Sequence, residues 1–209
     1  TARRAIQPGR ELALGSAWMI AMRWAIRSVG LASTVILARL LLPDDFGVVA
    51  MAMVAVAILH SFAQSGVDLA LLRAEAPQRE HYDAAWTLEI IQGVLLALAL
   101  FFTAPLVAGQ FNDPRVGEVI RMLALAALIG GFQNIGVVNF RRELDFRSEF
   151  KFGVYKKLAT FLVTVTAALT LRNYWALVVG QVAGRCVEVA LSYHMSKFRP
   201  RLSLARVGE

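Results

Sequence analysis

The 209-residue chain is 57% hydrophobic and only 18% charged, with a net charge of +7, whereas an ordinary soluble domain is roughly 45–50% apolar and about 25% charged. Its apolar residues fall in runs of about 20, the length a helix needs to cross a hydrocarbon core of about 30 Å. The basic residues sit at the ends of those runs, which is the pattern of membrane topology and excludes a soluble enzyme or a nucleic-acid binder.

The first run covers about 12–42 and is stopped by Pro43-Asp44-Asp45. At about 1.5 Å per residue it is longer than one bilayer core, so its N-terminal part is expected to project into the interface. A second run covers 46–72 and ends at Arg73; a polar link, 74–83, leads to a third over 84–108. The turn 110–114 opens a fourth over 117–140. The stretch 141–157 then mixes basic and aromatic residues, with Phe146 and Phe150 four apart on one helical face. That spacing predicts a short helix lying on the inner leaflet, rings in the acyl boundary and charges among headgroups. A solvated loop is the plain alternative. The fifth run, 155–171, is the shortest, and Lys156 and Lys157 at its start are expected to snorkel to the interface. Arg172-Asn173 is a tight link to the sixth run, 174–195, and the tail 197–209 is polar and basic. The expectation is an all-α integral membrane fold: a bundle of six transmembrane helices over 1–196, followed by a basic cytoplasmic tail over 197–209.

Orientation follows from the lysines and arginines in the links. One side holds Arg3, Arg4 and Arg10, then Arg73 and Arg79, the six basic residues of 141–157, and the basic tail; the other holds only Arg115 and Arg172. Both termini are therefore expected in the cytoplasm, and the protein in a bacterial inner membrane among its lipids. The chain starts Thr1-Ala2-Arg3 without Met, which points to a processed product or a fragment. The first run does not resemble a cleavable signal. Cys186, the single cysteine, excludes an internal disulfide and reads as a buried thiol in an apolar run. His60, His81 and His194 are far apart, with no ligand spacing. No metal, cofactor or catalytic group is expected.

Charges inside the spans carry the functional information, since an arginine at a helix centre costs roughly 2.5–3.5 kcal/mol to insert. Arg23 and Arg27, four apart in the first run, stack on one face that suits either a water-filled lumen or the headgroup zone. Arg39 is expected to anchor at the interface or pair with Asp44 or Asp45. Glu118 and Arg121, and likewise Arg185 and Glu188, have the spacing of i,i+3 pairs. Asp68 and Glu89 are candidate partners of Arg23 or Arg27. Gln133, Asn134 and Asn139 add polarity to the fourth run beside Gly130-Gly131. The pathway candidates are Arg23, Arg27, Asp68, Glu89, Asn134, Arg185 and Glu188. No nucleophile–base pair or phosphate loop accompanies them.

Four stretches resemble one family in order. Ala38-Arg39-Leu40-Leu41-Leu42-Pro43-Asp44-Asp45-Phe46-Gly47 resembles the signature closing the first helix of polysaccharide and O-antigen flippases. Gly66–Arg73 is similar to the end of their second helix, Arg142–Phe146 to the link before their fifth, and Tyr174–Gln181 to the start of their sixth. The resemblance implies membership of the multidrug, oligosaccharidyl-lipid and polysaccharide exporter superfamily, with two six-helix halves around a central cavity. It further implies a lipid-linked oligosaccharide substrate moved from the inner to the outer leaflet by alternating access. By this resemblance the chain corresponds to the N-terminal lobe, with 197–209 where the inter-lobe linker would lie, and the implied partner is a missing C-terminal half or a second copy. Three other readings stay open: an exporter of small organic cations using Asp68 and Glu89, a non-transporting scaffold of a polysaccharide assembly complex, and a membrane-bound sugar-transferring enzyme, for which links 74–83 and 141–157 offer no convincing acidic or metal-binding cluster.

Overall fold

The computed structural model describes residues 8–63, 78–143 and 145–203, with side chains from residue 20 onward. The described residues form seven α-helices and one 3₁₀ turn. These are α1 (Pro8–Leu40), α2 (Pro43–Ala63), α3 (Arg79–Phe111), α4 (Pro114–Gly131), the 3₁₀ turn Ile135–Val137, α5 (Val138–Arg142), α6 (Phe146–Leu171) and α7 (Trp175–Met195). Five of them, α1, α2, α3, α6 and α7, are long and apolar enough to cross a membrane, and the bent pair α4–α5 makes six when taken as one span. The chain is an all-α membrane bundle. Its outer faces fit that solvent: Phe62 is 85% exposed and Leu106 73%, a liability in water and ordinary against lipid.

Local chemistry explains the boundaries. Pro43 occupies the first position of α2, where its missing N–H costs nothing, and Asp44 and Asp45 lie at the positive end of the helix dipole. α3 ends on Asn112, which adopts left-handed backbone (φ 53) while the Asp113 N–H donates back to Ala108 O at 3.1 Å. Asp113 then caps α4 by accepting from Arg115 N at 2.9 Å, with Pro114 at the first turn. Asp145 caps α6 by accepting from Ser148 N at 3.1 Å, and this hydrogen bonding from Ser148 holds its carboxyl below the usual range. α6 closes on Arg172 in left-handed backbone (φ 48).

Two departures from the sequence expectation lie in the second half. The run 117–140 is not one rod: α4 stops at Gly131, and the axis bends by 68° before the 3₁₀ turn and α5 continue it. Gly130 and Gly131 supply the weak point, and Gly131 lets the backbone of α4 meet α3, because a Cβ on Gly93 would stand 2.9 Å from Gly131 Cα. The stretch 141–157 is not a separate interfacial helix either. Residues from Phe146 to Lys157 are the first turns of α6, which runs unbroken to Leu171. Lys156 and Lys157 therefore lie well inside a long helix instead of at its start.

α3 packs along α4, α6 along α7, and α1 along α6; α4 joins the two groups through α7, while α2 lies on α4 and α3. The main core gathers Val48, Val49 and Ala52 of α2, Leu96, Leu100 and Ala104 of α3, Val116, Val119, Ile120, Leu123 and Ala124 of α4, and Val178 of α7. A smaller cluster joins Leu37 and Leu41 to Ala167, Ala168 and Ala176.

The short links 41–42, 112–113 and 172–174 meet at one end of the bundle. There Arg115 bridges Asp44 (2.6 Å) and Asp113 (2.7 Å). Asp45, 8% exposed, accepts from Leu42 N at 3.0 Å and Tyr174 N at 2.9 Å. Asp44 and Asp45 thus serve Arg115 and the backbone, so of the two expectations for Arg39 the pairing is not met and the interfacial anchor stands. Burial, with the nearby charge of Glu118 adding to it, raises the Tyr174 hydroxyl above its ordinary pKa.

At the opposite end the segment after α7 folds back as a strap on the start of α3. Arg201 N donates to Asp83 Oδ1 at 2.8 Å and Ser203 N to Thr87 Oγ1 at 3.0 Å. Asn134 Nδ2 holds Phe198 O at 2.8 Å, and the Phe198 ring packs on Tyr82 with centroids 5.3 Å apart.

Candidate functional site: a cationic cleft beside α6 and α7

α1 and α2 are neighbours in sequence yet pack on different partners, α1 on α6 and α2 on α3 and α4. Where they part, a cleft of about 440 Å³ opens, lined by Ser33 of α1, Val49 of α2, Lys156, Lys157, Thr160, Phe161 and Thr164 of α6, and Leu177, Gly180, Gln181, Gly184, Arg185 and Glu188 of α7.

The wall between α6 and α7 is tight because it is built on Gly180 and Gly184. A Cβ on Gly180 would strike the side chain of Thr164, and one on Gly184 would stand 2.7 Å from Thr160 Oγ1. The two threonines donate to their own helix, Thr160 to Lys156 O at 2.9 Å and Thr164 to Thr160 O at 2.7 Å. Their hydroxyl protons are thereby satisfied without a partner on α7, and two small residues four apart let the helices approach closely.

The charge sits at one end of this seam. Glu188 is 7% exposed. Its Oε1 accepts from Lys156 Nζ at 2.5 Å and its Oε2 from Arg185 Nη1 at 2.8 Å, so one carboxylate serves a cation from each helix. Both cations lie outside it, with side chains 38% and 44% exposed against 10% for Glu188. The Arg185 guanidinium rests against Gly130, its Nε 3.8 Å from where a Cβ would be, beside the carbonyl-bearing end of α4. Lys157 extends across to α1, where Gly30 leaves it room, its Nζ 4.0 Å from the place of the missing Cβ. Among the described residues no carboxylate pairs with Lys157. Three cations and one carboxylate leave the cleft with surplus positive charge. On the far side Gln181 Nε2 approaches Met53 Sδ at 3.2 Å and links α7 to α2.

Of the sequence candidates, the structure brings Arg185 and Glu188 together in the cleft, as the i,i+3 pair their spacing suggests. Arg23 and Arg27 are exposed on α1 and do not line the cleft; the face of α1 against α6 carries Met22 and Ile26, which meet Gly153. Glu89 is half-buried on α3, whose main neighbour is α4. Asn134 is fully buried in the break after α4: its N–H donates to Ser192 Oγ at 2.9 Å and its Oδ1 accepts from Gly136 N at 2.9 Å. Asp68 lies outside the described residues. Glu118 does not pair with Arg121; it accepts from the Tyr174 hydroxyl at 3.4 Å, and Arg121 lies over the Phe101 ring at 5.9 Å. Cys186, expected to be buried, is exposed.

Sequence reasoning missed Lys156, Lys157, Thr160, Thr164 and Gln181. Two signals could have found them. Lys156, Thr160 and Thr164 follow at i, i+4 and i+8, a polar stripe on one face, and Gly180-x-x-x-Gly184 in an apolar segment marks a close helix contact.

Comparison with known proteins gives this arrangement its setting. A family model described as polysaccharide biosynthesis protein matches residues 36–208. The succinoglycan biosynthesis transport protein ExoT of Rhizobium meliloti (strain 1021) is 23% identical over 192 residues, covering 91% of this chain and 39% of that protein. The lipopolysaccharide biosynthesis protein WzxC of Escherichia coli (strain K12) is 22% identical over 177 residues, covering 85% of this chain and 35% of that one. The chain thus spans less than half the length of these relatives. No solved structure matches it. The chain belongs to the polysaccharide biosynthesis protein family.

Proposed function

We propose that this member of the polysaccharide biosynthesis protein family is one lobe of a transporter in the bacterial inner membrane. It carries a lipid-linked oligosaccharide or polysaccharide precursor from the inner to the outer leaflet by alternating access, without covalent chemistry. One relative is named as a transport protein of succinoglycan biosynthesis and another as a lipopolysaccharide biosynthesis protein, which supports this substrate class. Each is more than twice as long as the matched region, so the working partner is a second lobe, supplied by further sequence or by a second copy.

The observation that carries the reading is the surplus of positive charge in a cleft between bilayer-length helices. A headgroup joined to its lipid through phosphate must cross hydrocarbon while its tail stays there. Lys156, Lys157 and Arg185 lower the cost of that crossing by charge pairing, and the parting of α1 and α2 gives the tail a lateral exit. Exporting organic cations would call for accessible carboxylates, whereas Glu188 is held by two cations. The excess of basic residues around 141–151 and 197–201 supports an orientation with that end of the bundle facing the cytoplasm.

Replacing Lys157 tests the reading, because no ion pair among the described residues depends on it. In cells relying on this protein, Lys157→Gln is expected to lower surface polysaccharide about tenfold, the loss of one charge-assisted contact. Precursor should accumulate in the inner leaflet while the protein stays at its ordinary level in the membrane. Undiminished export would remove the cleft from the path.

A further inference from the structure

Glu188 is out of place in a cleft meant for an anion. We propose that it is a resident counter-anion, one that Lys156 and Arg185 leave for a multiply charged phosphate group and rejoin when that group departs, an inference that rests on the cleft being the translocation path.

Three observations lead there. The carboxylate lies beneath its partners, 10% exposed against 38% and 44%, so the cations present their remaining N–H groups to the cleft. It is shared between helices, with Lys156 on α6 and Arg185 on α7, so releasing it also unfastens α6 from α7 at this depth. Lys157 lines the same cleft without a carboxylate of its own among the described residues, so the site holds more positive charge than Glu188 neutralises.

The chemistry of the donors names the ligand. A guanidinium fork and two ammonium groups suit phosphate oxygens. A singly charged headgroup offers Lys156 and Arg185 no more than the carboxylate already does at 2.5 and 2.8 Å. A doubly charged phosphate or a diphosphate brings more charge and more acceptor oxygens, and it can engage Lys157 as well. Both long stems can swing outward while Glu188 stays fixed, so the carboxylate keeps the field of the same cations and is never left alone in an apolar wall. Glu188 therefore does two things: it rejects the singly charged phospholipids that fill the membrane, and it keeps the true ligand loose enough to release.

The test is equilibrium binding of inorganic pyrophosphate to the protein in phosphatidylcholine nanodiscs. Glu188→Gln is expected to tighten binding about tenfold or more, as removal of a nearby negative charge requires. Phosphatidylglycerol added to the nanodiscs should leave the unmodified protein's affinity unchanged and weaken that of Glu188→Gln, a selectivity change that loss of a merely structural contact would not produce. Phosphatidic acid, a doubly charged phosphate carried on a lipid, should compete in both forms; competition in neither would overturn a lipid-borne source. Glu188→Asp keeps the charge but withdraws it by one methylene, and it is expected to fall between the two, which provides a reading if Glu188→Gln does not fold. Affinity unchanged or weakened in the folded variant, with no new sensitivity to phosphatidylglycerol, would overturn the proposal. Binding needs no export, so failure here leaves the Lys157 test of transport intact.

Discussion

Both carboxylate oxygens of Asp45 accept backbone N–H groups, from Leu42 and from Tyr174, and so tie the α1–α2 link to the α6–α7 link. Asp45→Ala would leave both donors unpaired at a site that is mostly buried, a cost of about 1–3 kcal/mol. A lower thermal midpoint in detergent is the expected reading, with Asp45→Asn between the two. Asp113 makes a different prediction. Hydrogen bonding from the Arg115 guanidinium holds its carboxyl below the ordinary range. Because the folded value is the depressed one, its contribution to stability is present above the ordinary carboxylate range and fades as pH falls through the folded value. Asp113→Asn should therefore flatten the acid limb of a melting-temperature profile, and an unchanged limb would remove Asp113 from it. Arg115 and Asp44 are 71 residues apart. Both aspartates stand out in the sequence, but nothing in its local spacing names Arg115 rather than Arg39 as the partner.

Among the helices, the existence of the five long apolar ones was legible because the bilayer imposes a length that composition cannot hide. Two boundaries were not. The basic and aromatic residues of 141–157 hide the apolar start of α6 and leave only 155–171 as a run; in the structure Lys156 meets Glu188, 32 residues away, and the helix runs through. The break after Gly131 was averaged away because a window of about 20 residues reads α4 and α5 as one run. The α6–α7 seam rests on Gly180 and Gly184, so Gly180→Ala would push against the Thr164 side chain. Overpacking of this kind costs about 1–3 kcal/mol. The expected result is a lowered melting temperature, restored in part by Thr164→Ala, which frees the space; failure of the second change to rescue the first would mean the contact is not what limits the seam.

Over the whole molecule, the class of fold and its membrane setting were readable from composition and charge, while the cleft was not. It arises because α1 leaves α2 to pack on α6, a choice made by contacts such as Leu37 and Leu41 with Ala167 and Ala168. Among the described residues, only Arg185 and Glu188 of the expected pathway candidates line it, and the lysines beside them come from a stretch the sequence suggested for the interface. A hydrated cleft has a direct signature. With Cys186 replaced by Ser, Thr160→Cys is expected to react with a hydrophilic maleimide, while Leu162→Cys, 61% exposed on the neighbouring face, should be shielded by lipid. Equal labelling of the two would indicate that the cleft is not open to water.

The strap after α7 has a consequence for the order of assembly. Asp83 and Thr87, each 7% exposed at the start of α3, accept from Arg201 and Ser203, which follow 118 and 116 residues later. A chain emerging from the ribosome inserts α3 long before those donors exist. Until the strap arrives, these acceptors rely on water or on Arg79, which lies 3.7 Å from Asp83. Closure of the strap thus reports that α7 has been inserted and has reached its place.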